Sequence, residues 1–341
     1  MSFSVPIVQI GKIGRHPNAD NLSLTQITGE TVIFKTGDFK EGDLAIYVPE
    51  DAVVPTTVPG TEFLGTHRRI RAKRLRGLFS CGLLLPVSIL PEDPEGMDAL
   101  NPDEWVTLVG FDVSQRLGIT KYEAPVSLQF GGENERDPGY MPKYEIESHR
   151  KFGHVYIPGE RVIITEKIHG TNFRAVYRDD RLWVGSHTCI KKESDTNIYW
   201  KAAKNYDLAG ALQPFPCIAI YGEVHGQVQK GYGYGIPKGE IDLRIFDMYD
   251  TVARRWLDWE EVVSLAKQME INTVPVVYDG PYVPSEIPAM AEGKSTLADH
   301  NREGVVIKTA NYRWSMELGR VITKYVSEDF RLKKSDDAVS H

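Results

Sequence analysis

The sequence predicts an α+β chain in two parts. A small N-terminal β-barrel spans residues 1–120, and beyond a linker over 121–139 a larger unit of sheets flanked by helices spans 140–341. Three observations predict this. Short apolar runs separated by turn residues fill the first third of the chain. A polar, glycine-rich stretch from Gln129 to Gly139 interrupts the pattern. After Tyr140 the β runs lengthen and two helical periodicities appear between them.

Length and composition bound what the chain can be. Its 341 residues suffice for two domains at roughly 100–200 residues each. With 41% hydrophobic and 26% charged residues, a core of ordinary size can form. No apolar run approaches the roughly 20 residues of a membrane span. Met1-Ser2-Phe3-Ser4-Val5-Pro6 lacks the charged and apolar regions of a signal peptide. Cys81, Cys189 and Cys217 are few and widely spaced, so neither a disulfide framework nor a zinc site follows from them. A cytoplasmic protein is expected. The net charge of −7 argues against basic surface for indiscriminate nucleic-acid binding. It leaves room for a local basic groove, because phosphate contacts need only a few well-placed cations.

Taken in order, Val5–Ile10, Leu22–Ile27, Thr31–Phe34 and Leu44–Val48 read as strands, with Gly11, Gly14, Gly29, Gly37 and Gly42 at the turns between them. His16-Pro17-Asn18-Ala19-Asp20-Asn21-Leu22 reads as a loop built on Pro17 and Asp20. Arg68, Arg69, Arg71, Lys73, Arg74 and Arg76 put six cations within nine positions of an acidic chain. Like charges packed this tightly repel, so the stretch reads as a track for a phosphate backbone, on a strand with its cations exposed. Pro86 to Pro102 reads as a loop, and Val113–Leu117 as a short helix capped by Asp112.

In the second part, Val162-Ile163-Ile164 leads into Thr165-Glu166-Lys167-Ile168-His169-Gly170-Thr171-Asn172, and Phe173–Tyr177 leads away. That is strand, tight loop, strand, with Gly170 giving backbone freedom at the bend. Asn197–Leu212 reads as one helix, stopped by Pro214 and Pro216, and Asp258–Met269 as a second, capped by Asp258. Further strands are Cys217–Tyr221, Leu243–Met248, Gly304–Lys308 and Arg320–Tyr325. Tyr232 and Tyr234, set among glycines, read as a mobile loop near a pocket.

Charged residues end or interrupt those strands: Lys167, Glu223, Asp247, Glu303, Lys308 and Lys324. A charge beside a buried strand must be paired, bound to metal, or at a site. Six from separate strands predict one shared pocket of three cations and three carboxylates. That mix suits a nucleoside triphosphate, with lysines for the phosphates and carboxylates for Mg²⁺ and its waters.

Here a resemblance enters. Thr165–Asn172 resembles motif I of the covalent nucleotidyltransferases, in the Lys-x-His-Gly form of phage-type nick-sealing RNA ligases and RNA-editing ligases. Tyr221-Gly222-Glu223 resembles motif III, Phe246-Asp247 motif IIIa, Glu303–Lys308 motif IV and Ile322-Thr323-Lys324 motif V, in the family's order. In the first part, His16–Leu22 resembles the His-Pro-x-Ala-Asp-x-Leu signature of tRNA-binding OB-fold modules. Arg74–Gly77 followed by Ser80–Pro86 resembles the N-terminal OB domain of a bacterial-type nick-sealing RNA ligase family.

The resemblance implies an OB-like β-barrel followed by a nucleotidyltransferase (ligase) domain of antiparallel sheets flanked by helices. It implies that Lys167 attacks the α-phosphate of ATP to give a lysyl-AMP and pyrophosphate. AMP then passes to a 5′-phosphate, and a 3′-OH displaces it. Lysine is ordinarily protonated at neutral pH, so Lys308, Lys324 and a bound Mg²⁺ (or Mn²⁺) are expected to lower the pKa of Lys167. By the same resemblance Glu223 and Glu303 hold the metal's waters or the ribose, and Phe246 and Val306 sandwich the adenine. Glu166 marks the adenine amino edge, Ile168, His169 and Gly170 belong to the nucleotide site, and Asn172 contacts phosphate or nick. His187 stands where motif Ia usually has an arginine, and Ile322 where motif V often has a first lysine. The implied partner is a nicked duplex with RNA on the 3′-OH side, with no membrane, and the implied state is a monomer.

The alternatives are a DNA ligase or capping enzyme of the same superfamily, or a non-catalytic nucleic-acid-binding protein built on the OB module. The former normally carry an OB domain after motif V, and only the 17 residues 325–341 follow Lys324, so no such domain is expected.

Overall fold

The computed structural model describes residues 3–90, 108–122, 132–226 and 228–336. Residues 91–102 of the acidic loop, 123–131 of the linker and 337–341 of the C-terminal tail lie outside the described residues. The chain divides into two compact units, residues 1–124 with 331–341, and residues 125–330.

In the first unit two two-stranded ladders, Ala52–Val53 with Thr120–Lys121 and Lys73–Leu75 with Leu78–Ser80, accompany two three-stranded sheets. One has the order Ile7–Gln9, Leu44–Val48, Leu83–Pro86; the other Gly14–Arg15, Leu22–Ile27, Glu30–Lys35. The sequence pattern suggests a small barrel; among the described residues its two larger sheets pack on each other through side chains. Leu44–Val48 is apolar throughout because both its faces are buried. Ala45 and Tyr47 join Ile10, Ile27, Val32 and Phe34 between the sheets. Ile46 and Val48 pack beneath with Val5, Val54, Ile70 and Val113. Asp112 accepts the peptide N–H groups of Val5 and Ser114, 2.8 and 3.0 Å away, and residues 114–118 form turns rather than the expected helix. Arg331 donates to Glu30 and Glu50 at 3.0 and 2.8 Å, closing an ion cluster beside buried Cys81.

The second unit is built on two sheets. A seven-stranded sheet contains, in order, Asn134–Glu135, Ile190–Lys191, Arg181–Ser186, Thr171–Arg178, Ile218–Gly226, Ile241–Asp250 and Arg255–Trp256, all antiparallel. A five-stranded sheet contains Glu147–Ser148, Ile322–Val326, Gly304–Thr309, Arg161–Glu166 and Val276–Pro281, antiparallel except at its Glu147–Ser148 edge. Helices cover the seven-stranded sheet through Phe173, Ala175, Ile220 and Val224, which pack on Trp200, Leu208 and Val262. Its other face, with Val176, Ala219 and Tyr221, meets Ile322 and Val306 of the five-stranded sheet. The site lies between those two faces.

Two elements differ from the sequence expectation. Asn197–Leu212 is two helices, Ile198–Asn205 and Leu208–Leu212, because Asp207 takes a left-handed conformation (φ 41°) and caps the second. The Thr165–Asn172 segment is not a hairpin. Arg161–Glu166 belongs to the five-stranded sheet and Thr171–Arg178 to the seven-stranded one, so Lys167–Gly170 crosses from one to the other. Gly170 is needed there for close approach, since a Cβ would collide with the Val224 carbonyl oxygen. The helix Trp259–Gln268 matches its expected span, with a capping box between Asp258 and Glu261.

Candidate active site

Strand register decides which side chains meet. Thr165, Val306 and Lys324 are cross-strand partners on one face of the five-stranded sheet, as are Ile163, Lys308 and Ile322. On the seven-stranded sheet Asn172, Glu223 and Arg244 are partners, and so are Arg174 and Tyr221. Phe246 is the extra residue of a bulge opposite Tyr221/Gly222, which lets both Phe246 and Asp247 reach the space between the sheets.

Backbone hydrogen bonds hold the crossing segment. Lys167 N–H donates to the Gly304 carbonyl at 2.9 Å and Glu166 N–H to that of Pro275 at 2.9 Å. Gly304 must also be glycine, because a Cβ would collide with the Tyr325 carbonyl oxygen. Gly170 N–H donates to Glu223 Oε1 at 3.0 Å. The Lys167 Nζ lies 2.7 Å from Glu303 Oε1, and His169 Nδ1 lies 3.2 Å from Glu303 Oε2 without the alignment of a hydrogen bond.

One ammonium therefore faces two carboxylates. Burial pushes Glu223 up to about 8, with the pull of Lys167 only partly offsetting it and Glu303 adding to it. Burial also pushes Glu303 up, but Lys167 and His169 outweigh it and bring that carboxyl down to about 2. For Lys167 burial acts downward; Glu303 and Glu223 outweigh it and hold the amine above its ordinary value. The amine is thus an ammonium here, opposite to the lowering expected from neighbouring cations.

Five of the six strand-borne charges pair within two ion clusters. Lys167, Glu223 and Glu303 make the first. Lys308 belongs to the second: its amine donates to the Phe246 carbonyl at 2.6 Å, lies 3.5 Å from Asp247 and sits over the Trp259 ring. Burial lowers the Lys308 amine to about 8. Asp247, fully buried, also takes Arg320 at 2.8 Å and the Tyr144 hydroxyl at 2.7 Å. Lys308 thus holds the Phe246 backbone through its amine. Lys324 lies half-buried on the face it shares with Val306.

The remaining predicted residues fall as follows. Glu166 is buried; its Oε2 accepts from Thr296 N–H and Oγ1 at 2.7 and 2.6 Å, and its Oε1 has no partner among the described residues. The Asn172 Oδ1 is likewise buried without a partner among the described residues. Ile168 is buried in the core. Phe246 and Val306 are half-buried in one cluster, with Tyr144 tilted against Phe246 at 4.8 Å. The His187 Nε2 bonds the Tyr144 carbonyl at 3.1 Å. Sequence reasoning missed Tyr144, Thr296, Arg320 and Phe330, whose ring packs on His169 at 4.9 Å, because none carries a motif. In the loop holding Tyr232 and Tyr234 both rings are buried against this segment.

The basic stretch of the first unit also divides. The Arg68 guanidinium donates to the carbonyls of Val54, Pro55 and Thr61 and to Thr61 Oγ1, all within 2.8 Å, and so splints its own loop. Arg69 pairs with Asp51 and stacks on Tyr122, 3.7 Å from the ring centroid. Arg71 is half-buried, and burial and Arg69 together lower its pKa. Only Lys73–Leu75 is strand, paired with Leu78–Ser80, and Lys73, Arg74 and Arg76 are exposed there. A cavity of about 1070 Å³ runs beside them, with Phe63 on its rim 69% exposed.

Comparison with known proteins agrees with this geometry. The sequence profile of the RNA ligase family matches residues 160–326, and that of an OB-fold domain matches residues 4–87. No curated protein sequence matches. Structures of an RNA ligase from Naegleria gruberi superpose along the whole chain. A lysine-to-alanine variant with ATP and Mn has 26% identity and a TM-score of 0.84, covering 98% of this chain and 100% of that one. The same ligase with PPi has 27% identity and a TM-score of 0.83, covering 99% and 100%. A glutamate-to-alanine variant with AMP and Mn has 26% identity and a TM-score of 0.83, covering 98% and 99%. No helix among the described residues is long and apolar enough to cross a membrane. With the OB-fold profile over residues 4–87 and the ligase profile over residues 160–326, which carry most of the second unit's two main sheets, the chain belongs to the RNA ligase family and is an enzyme that acts on nucleic acid.

Proposed function

We propose that this RNA ligase consumes ATP with Lys167 as the nucleophile, and that it seals nicks in duplexes whose 3′-OH side is RNA. The observation that carries the reading is the Lys167 ammonium, backbone-anchored by Gly304 and held 2.7 Å from Glu303 beside Glu223. In the first step the Lys167 ammonium gives up two protons to solvent, one before and one as its Nζ bonds the α-phosphorus of ATP, while the bond to the β-phosphate oxygen breaks and pyrophosphate leaves. The 5′-phosphate of the nick then takes AMP from the lysine. The 3′-OH finally attacks that phosphate, loses its proton and releases AMP.

The donor set fits a divalent cation. Glu223 and Glu303 outnumber the one ammonium between them, and the buried Asn172 oxygen beside Glu223 in register lacks a partner among the described residues. Two carboxylates with water and phosphate oxygens completing the shell is the pattern of Mg²⁺ or Mn²⁺. When bound, such an ion supplies positive charge that neutralises the phosphate in transfer and cancels the field holding the Lys167 proton. On this reading Phe246 and Val306 hold the adenine, with Glu166 at its amino edge, and Lys324 meets a phosphate. Lys308 keeps Phe246 in place. The exposed Lys73, Arg74 and Arg76 grip the polynucleotide. The protein works as a monomer in the cytoplasm, which three free cysteines suit.

Incubation with Mg²⁺ and ATP labelled at the α-phosphate should leave a covalent AMP adduct on a denaturing gel, and Lys167→Ala should abolish it. No adduct from wild type would overturn the reading. Nicked duplexes with RNA on the 3′-OH side should then be sealed faster than all-DNA nicks; equal sealing would contradict the RNA assignment.

A further inference from the structure

Residues 228–236 hold the crossing segment from a side that none of the ligase motifs supplies. The Tyr234 hydroxyl accepts the His169 N–H at 2.7 Å, and Gln229 Nε2 donates to the Gly170 carbonyl at 3.0 Å. Tyr234 is 5% exposed and wedged between His225 and His300, with ring centroids 5.1 and 4.6 Å away. Burial pushes its phenol upward, the bond from the His169 N–H acts downward, and Glu303, Glu166 and Glu223 add to the rise, so the phenol stays neutral. The bonded N–H is two residues from Lys167, on the peptide whose side chain faces Glu303. Free rotation of that peptide would move the amine relative to both carboxylates. A neutral, buried, rotationally fixed acceptor is suited to prevent it.

We propose that Tyr234 is a positioning residue for Lys167, acting through its hydroxyl on the backbone of His169. The proposal deepens the reading of Lys167 as nucleophile and rests on it. Tyr234 touches neither nucleotide nor polynucleotide in this role. It fixes the amine for the one step in which nitrogen attacks phosphorus, so its loss should separate that step from the final phosphodiester bond formation.

The test uses the full chain with Tyr234→Phe, which keeps the ring packing and removes one oxygen. Single-turnover adduct formation at saturating ATP should fall about 10- to 100-fold. Sealing of a nick already adenylylated at its 5′-phosphate, which bypasses attack by Lys167, should stay within about twofold of wild type. Gln229→Ala should show the same step-selective loss if Tyr234→Phe folds poorly by thermal melting. Adduct formation at the wild-type rate, or an equal loss in both steps, would overturn the proposal. A wild-type protein that forms no adduct would instead overturn the nucleophile reading beneath it.

Discussion

Glu223 and Glu303 face the same ammonium and titrate in opposite directions, because Glu303 is in direct contact with Lys167 and His169 while Glu223 is chiefly desolvated. The consequence for stability has a definite sign. Glu303 is lowered from 4.5 to about 2, so its contribution is present above 4.5 and is lost as pH falls toward 2. Glu223 is raised from 4.5 to about 8, so folding is favoured below 4.5 and the favour is lost as pH rises toward 8. Glu223→Gln keeps an oxygen for the Gly170 N–H and removes the charge. Without divalent cation it should melt higher than wild type at pH 9 and alike at pH 4, while losing adduct formation. Equal melting at both pH values would contradict this. These six charges were legible in the sequence as a set, since each stood beside an apolar strand. Their division was not, because it depends on register and on the bulge that turns Phe246 and Asp247 inward together.

At the scale of elements, the octapeptide around Lys167 was visible as strand, loop and strand, but not as a crossing between sheets. Local pattern does not say which sheet a strand joins. Gly170 was read as freedom at a bend; its reason is contact with Val224, a residue more than fifty positions away. The basic stretch shows the same limit. Cation density was legible, yet acceptors from Val54 to Thr61 commit Arg68 to its loop. The His16 loop supports the exposed part: His16 Nε2 bonds the Leu75 carbonyl at 3.0 Å, and Asn18 donates to that of Arg76 at 3.0 Å. Arg68→Ala should therefore cost roughly 2 kcal/mol of stability through lost buried hydrogen bonds, measured by thermal or denaturant unfolding. Joint replacement of Lys73, Arg74 and Arg76 by Ala should reduce the slope of log affinity against log salt for a nicked duplex by about 2–3. The AMP adduct should still form. An unchanged slope would return these three cations to the status of a solvated face.

For the whole molecule, the two-part α+β architecture was legible because turn residues and apolar runs change rhythm near Tyr140. The helix break at Asp207 and the C-terminal residues that complete each unit were not. Phe330 packs on His169 and Arg331 joins Glu30 and Glu50 through contacts far apart in sequence. The proposed chemistry depends on one covalent bond, between the Lys167 Nζ and phosphorus. Wild-type protein incubated with ATP and Mg²⁺, digested and mapped by tandem mass spectrometry, should carry AMP on Lys167 alone. AMP on Lys308, on Lys324 or on no lysine would contradict it.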